Sequence, residues 1–305
     1  MVDGYMQSAN RLLRHLHRND PADLSVTKDL AISYQYLKQF RKSWDCLRRT
    51  IEDSTADDQC YQLACNDLKA LNRKNEVTEL LRNGIKRFPL SGPLYLEMGN
   101  VFASLRSDSA RCYWETGIKL DPAYPRNYYY AAKYHMAEEH WLSAFLLGVY
   151  YVNMETSGSQ HVEMKTLIAL AHRNWITSIL EKEDYKKDQP ELQRIERIAR
   201  QQRDQLAMGN DVEDWTAFHI RLVFDWFNNN PEADKISLIA YHRELLRVGH
   251  FESYLQWLLG SVANQSAFQR WYHLHESAYH AFKRYMQQHP FKPGSNRWLN
   301  GLNIQ

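Results

Sequence analysis

The chain has 305 residues, with 38 basic and 36 acidic side chains spread evenly over both halves, so no segment carries the positive field that nucleic acid requires. Glycine (12) and proline (9) are scarce, which favours a mostly helical chain over one with many tight turns. Mean hydropathy is −0.62 and the longest apolar stretch, "WLSAFLLGVYYV", is too short to span a bilayer, so a soluble chain with no membrane span is expected.

The first segment, "MVDGYMQSANRLLRHLHRND", has no continuous apolar run and does not read as a signal peptide. Leu12, Leu13 and Leu16 suit a short amphipathic capping helix over residues 1–23. The default compartment is the cytoplasm, although a mature exported (periplasmic) chain whose leader has been removed reads the same.

From residue 24 a spacing appears. Ala31, Ala64, Gly99 and Ala132 each precede an aromatic or apolar run, at steps of 33, 35 and 33 residues. Self-similarity near 34 residues marks stacked helix pairs. The clearest unit, "LYLEMGNVFASLRSDSARCYWETGIKLDP", places Met98, Gly99 and Phe102 in one helix and Ala110, Trp114 and Gly117 in a second, with Pro122 closing it. Small residues fall where helix backbones approach and large ones fill the spaces between pairs. The preceding unit repeats this with Leu63, Ala64, Leu80, Gly84 and Pro89, and the first with Leu30, Ala31, Tyr34, Ser43 and Leu47.

These residues resemble the tetratricopeptide repeat over about Leu24 to Thr156. The departures are Thr55 where a proline closes the other units, Glu76 at a small position, and Gly148 and Tyr151 where large and small residues are expected. The resemblance implies an all-α, right-handed α-solenoid of stacked antiparallel helix hairpins, about four pairs over residues 24–157, the fourth degenerate. It also implies that the first helix of each pair lines a concave groove. That register assigns Lys28, Ile32 and Tyr36, then Tyr61, Cys65 and Lys69, then Leu96 and Asn100, then Arg126, Tyr129 and Lys133. Lysine favours acidic groups and tyrosine offers rigid contact area, a combination suited to a peptide or protein segment. Lys28 is followed one turn later by Ile32, so the lysine–asparagine carboxylate clamp of some family members is not expected.

"NMETSGSQ" interrupts the pattern near residues 153–160, and residues 158–305 read as degenerate helical hairpins. Leu192, Ile195, Ala199, Gln202 and Leu206 mark one helix, and Trp215, Phe218, Leu222 and Trp226 another, set off by the breaks "MGNDVED" and "NNNPEAD". Gly249 suits a left-handed helix stop before the stripe Phe251, Tyr254, Leu255, Leu258, Leu259 and Val262. Phe268, Trp271, Tyr272, Tyr279, Phe282 and Met286 stripe the last helix, with His275 expected in its core.

Chemistry-bearing patterns are weak. His273, Glu276 and His280 share one helix side without the H-E-x-x-H order and read as a solvated face; His135, Glu139 and His140 read as a helix end and turn. No nucleophile elbow, phosphate loop or dinucleotide turn is present. Cys46, Cys60, Cys65 and Cys112 form no C-x-x-C pair and read as buried free thiols. The basic run "RIERIARQQRD" lacks aromatics for base stacking. The expectation is therefore a scaffold or adaptor that is not an enzyme, needs no cofactor or metal, and binds another protein. The alternative is a small-molecule or carbohydrate-binding, even catalytic, helical domain in residues 161–305.

Overall fold

The computed structural model describes residues 2–53, 55–181, 190–206, 212–228 and 236–294. Both inter-helix breaks expected before residue 235 lie largely outside this set. The described residues are helical throughout, without a strand. The chain divides into two compact units, Met1–Asp121 and Pro122–Gln305.

In the first unit, α1 (Val2–Asn19) packs on α2 (Leu24–Tyr36), and three hairpins follow: α2 with α3 (Phe40–Glu52), α4 (Asp58–Ala70) with α5 (Lys74–Arg87), and α6 (Gly92–Ser104) with α7 (Ser109–Leu120). First helices also touch each other, α2 against α4 and α4 against α6. Each hairpin therefore buries its apolar stripe against the next, the packing rule of a helical repeat. Leu47, Ala64, Leu68, Leu81 and Leu94 are completely buried in the shared core.

Small residues sit at the close approaches. Ser43 donates to the Ala31 carbonyl across the first hairpin at 3.2 Å. A β-carbon on Gly99 would overlap the Trp114 indole, so only glycine admits that ring against α6. Glu76, which departs from the repeat pattern, turns away to pair with Arg73, whose guanidinium lies 5.5 Å from the Trp44 ring centre.

The hairpin turns share one backbone device. Lys38, Asn72 and Arg106 are left-handed, at φ 56°, 59° and 54°. The next residue donates back across the turn: Gln39 to the Tyr34 carbonyl (2.8 Å), Arg73 to Leu68 (2.9 Å) and Ser107 to Phe102 (3.1 Å). This satisfies a helix-end carbonyl and reverses the chain in a few residues.

α1 differs from its expected form. Leu12 and Leu16 remain exposed, and only Leu13 turns inward. Polar side chains make the contact instead: Asn10 donates to Ser33 Oγ at 2.8 Å and His17 Nδ1 bonds Thr27 Oγ1 at 3.1 Å. Asn10, Leu13 and His17 share one helix face, whereas Leu12 and Leu16 lie off it.

The second unit begins with hairpin α8 (Pro125–Ala137) and α9 (Trp141–Met154), followed by α10 (Ser159–Leu180). The repeat signature thus runs past the packing boundary at Asp121. Glu139 makes the left-handed turn (φ 60°), and His135 and His140 meet across it at 3.2 Å, which places "HMAEEH" at a helix end and turn. α9 is buried on all sides from Leu142 to Asn153. Gly148 leaves the space that Ile168 and Met164 of α10 occupy, so the missing large side chain is supplied by the neighbouring helix.

Beyond this lie α11 (Pro190–Gln201), a 3-10 turn (Arg203–Gln205), α12 (Val212–Asn228) and α13 (Ser237–Arg247). Leu192, Ile195, Ala199, Trp215, Phe218 and Trp226 are buried as their spacing implies. Gly249 closes α13 at φ 73°. α14 (Phe251–Leu255) runs through a π-helical turn (Gln256–Gly260) into α15 (Ser261–Ala263), and α16 (Gln265–Gln288) follows. His275 corrects the expectation of a core histidine. It is exposed, adopts non-helical torsions that kink α16, and stacks on Trp271 at 4.8 Å.

Candidate protein-interaction surface

Successive first helices stand side by side, so side chains one repeat apart can meet. The three lysines assigned to the groove each do so, reaching an acidic residue 28 to 30 positions ahead on the next first helix or its cap.

Lys28 of α2 lies 2.6 Å from Asp57, which also caps α4 by accepting the Cys60 N–H at 3.0 Å. The Asp57 hydrogen bond, with its charge, holds the Lys28 ammonium above its ordinary range despite some desolvation. Burial raises the Asp57 carboxyl, but the bonds from Lys28 and Cys60 outweigh it and leave the group lowered. Lys69 of α4 pairs with Glu97 of α6, a carboxylate only 7% exposed. Burial pulls the Lys69 ammonium down, and Glu97 then Cys65 more than offset it. In the second unit, Lys133 of α8 lies 2.7 Å from Glu163 of α10, which also accepts the Tyr129 hydroxyl at 2.6 Å. These two partners hold the Glu163 carboxyl below its usual range, Lys133 first.

Between the two bridges of the first unit lies a third. Gln35 donates to both the Leu63 carbonyl and Asp67 Oδ1 at 2.9 Å. Asp67 is completely buried, and desolvation pushes its carboxyl up to about 6 against the bonds from Ser43 and Gln35. Sequence reasoning did not single out Asp57, Asp67, Glu97 or Glu163. The signal that finds Asp57, Glu97 and Glu163 is the recurrent Lys-to-carboxylate spacing, just under one repeat; Asp67 answers Gln35 instead, 32 residues back.

The remaining assigned residues divide by burial. Tyr36 is 68% exposed, Arg126 is exposed, and Asn100 is half-buried. Tyr61 is buried beneath Gly84 and meets Phe88 edge-on at 5.8 Å. Leu96 is completely buried and Tyr129 nearly so. In this structure Tyr61 and Leu96 pack the core, because a one-residue change of helix position turns a side chain about 100° from the open face. The structure therefore brings Lys28, Lys69 and Lys133 into inter-helix ion pairs rather than leaving open positive charge.

His273, Glu276 and His280 of α16 form an exposed surface arrangement. Glu276 lies 3.7 Å from His280, and both accept or share the Tyr272 hydroxyl. Among the described residues no group of three or more potential ligands could hold a metal ion. Cys60 and Cys65 are buried, and Cys46 and Cys112 partly so; burial pushes the Cys46 thiol up to about 11 and the Cys60 and Cys65 thiols to about 12, keeping them inert. No described helix is long and apolar enough to cross a membrane.

Fold and surface together define a helical-repeat protein of the solenoid class, built from consecutive packed helix pairs. No family model matches the sequence, and no curated protein matches it. Among solved structures the crystal structure of MamA is similar, at 17% identity over 57% of this chain and 90% of that chain, with a TM-score of 0.38.

Proposed function

We propose that this chain is a non-catalytic scaffold that binds a segment of another protein along a first-helix face, α2, α4 and α6 in the first unit or α8 and α10 in the second. The observation that supports this most is the stitching of α2, α4 and α6 by Lys28–Asp57, Gln35–Asp67 and Lys69–Glu97. A face already fixed by cross-helix bonds loses little entropy when a partner docks. Compensated lysines leave the contact to shape, to aromatic area at Tyr36 and to amide bonding at Asn100, with Arg126 and the outer flank of Lys133 serving the second unit.

Affinity capture with wild type and the Tyr36→Ala/Asn100→Ala variant tests the reading. Both side chains lie outside the core, so helicity by circular dichroism stays at the wild-type value. Recovery of the bound protein is expected to fall about tenfold in the variant. Equal recovery of the same proteins by both forms would remove the first-helix face as the binding surface.

A further inference from the structure

The last turns of α16 border a cleft in the second unit that the first-helix faces do not include. Lys283, Met286 and Gln287 stand three and four residues apart and so share one side of that helix. Met154, the last residue of α9, lines the same cleft, as do Thr156 in the loop that follows and Lys292 beyond α16. The cleft is open and holds about 760 Å³.

Two properties of the lining point to an occupant. The first is charge. Both lysines line the cleft and no acidic residue does, and among the described residues neither lysine has a carboxylate partner. Lys292 is exposed, whereas Lys283 is half-buried with its ammonium 5.4 Å from the Trp257 ring centre. A ring face attracts an ammonium but does not neutralise it. Burial, opposed by no nearby acid, holds Lys283 below the ordinary lysine range, so a carboxylate arriving in the cleft offsets a cost already present in the fold.

The second property is the apolar lining. Met154 and Met286 are only half-buried, although both line the cleft. Unbranched thioether chains re-pack against varied apolar side chains, which suits them to surfaces that receive peptides. Thr156 and Gln287 are exposed and offer hydroxyl and amide groups to a peptide backbone. A small inorganic anion would meet the lysines and leave the methionines wet. A chain that carries carboxylates around an apolar side chain satisfies both.

We propose that this cleft binds an acidic segment of a partner protein, with an apolar side chain against Met154 and Met286 and carboxylates on Lys283 and Lys292. None of these residues was assigned to a first-helix face, so this inference and the scaffold reading can fail separately.

Selection of a random short-peptide display library on the full chain tests it, with Lys283→Glu/Lys292→Glu and Tyr36→Ala/Asn100→Ala as parallel baits. Wild type and Tyr36→Ala/Asn100→Ala are expected to enrich peptides with several Asp or Glu around Leu, Met or Phe, and the charge-reversed form to lose them. By fluorescence anisotropy at constant ionic strength, the enriched peptide is expected to bind about tenfold more weakly to Lys283→Gln and to Lys292→Gln. Lys292 is exposed, so its variant keeps the test decisive should Lys283→Gln fold poorly. Absence of acidic enrichment on wild type, or unchanged affinity in the lysine variants, would overturn the proposal. Loss of the acidic peptides in Tyr36→Ala/Asn100→Ala would also overturn it, by moving them to the first-helix face. Phosphatidylglycerol vesicles that sediment with wild type but not with the charge-reversed form, without acidic peptides enriched, would overturn it in favour of a lipid surface.

Discussion

At the scale of single residues, the hairpin turns show local sequence yielding to tertiary demand. Lys38, Arg106 and Glu139 carry β-carbons in a left-handed conformation that costs roughly 1–2 kcal/mol. They accept it because the turn returns the next N–H to a helix-end carbonyl, and because the second helix must start at once to bury its stripe. Glycine at these sites relieves the strain but adds freedom to the unfolded chain. The balance predicts that Lys38→Gly, Arg106→Gly and Glu139→Gly each stabilise by about 0.5–1 kcal/mol, measured by urea unfolding. A destabilisation at all three would mean that the lysine, arginine and glutamate side chains hold the turns. The spacing of these residues repeats as the small residues do, yet no sequence rule marks a lysine or arginine as left-handed.

At the scale of the element, the ion pairs between first helices differ in how much they contribute. Glu97 is nearly enclosed, whereas the Glu163 side chain is half-exposed. Removing the cation from an enclosed pair leaves a charge without solvent or partner, and removing it from an open pair leaves one that water accepts. Lys69→Met is therefore expected to destabilise by about 2–4 kcal/mol, and Lys133→Met by less than about 1 kcal/mol. Thermal unfolding followed by circular dichroism separates the two; equal effects would show that Glu97 relaxes to solvent. The same asymmetry makes charge reversal at Lys69 a poor probe of binding, since it would set two carboxylates together inside the packing.

At the scale of the whole molecule, α4 of the first unit and α12 and α13 of the second are expected to answer acid in opposite senses, with His17 and Asp57, both lowered, opposing Asp67 in the first. In the first, the Asp67 carboxyl titrates at about 6 rather than 3.8, so the folded form takes up its proton before the unfolded chain does. Its contribution is fully favourable below pH 3.8 and is lost as pH rises through about 6. In the second, burial lowers His172, His219 and His242 from 6.5, the last two to about 4 and 3. His172 and His219 share one hydrogen bond of 2.9 Å between their Nε2 atoms, which requires one of them to be neutral and accepting. His242 Nε2 lies 3.2 Å from the Tyr254 hydroxyl, and Asn153 already donates to that oxygen, so the hydroxyl proton points to an unprotonated His242. These contributions are complete above pH 6.5 and fade as pH falls toward 4. Glu196, whose carboxyl is raised by burial, works the other way, against these three and the likewise lowered His161, Glu163 and Glu244. Hydrogen exchange at pH 7 and pH 4.5, corrected for intrinsic rates, is expected to show α4 better protected in acid and α12 and α13 less so. Asp67→Asn should abolish the gain in α4, and a common response of α4, α12 and α13 would refute the assignment.

The sequence by itself determined the helical class, the hairpin period and the close approaches at Ala31, Gly84 and Gly99, because helix periodicity and small-residue contacts are local properties of about one repeat. It also marked the stop at Gly249. Only the tertiary structure decided that Tyr61 and Leu96 face the core, that the groove lysines are already paired, that the first hairpin's cap is held by Asn10 and His17, and that Lys165, Trp257 and Lys283 converge. Those partners lie from 10 residues (His17 and Thr27) to more than a hundred (Lys165 and Lys283) apart along the chain. Which of them meet depends on how neighbouring helices are rotated and offset, and that is fixed by the sum of many packed contacts rather than by any motif within reach of one helix.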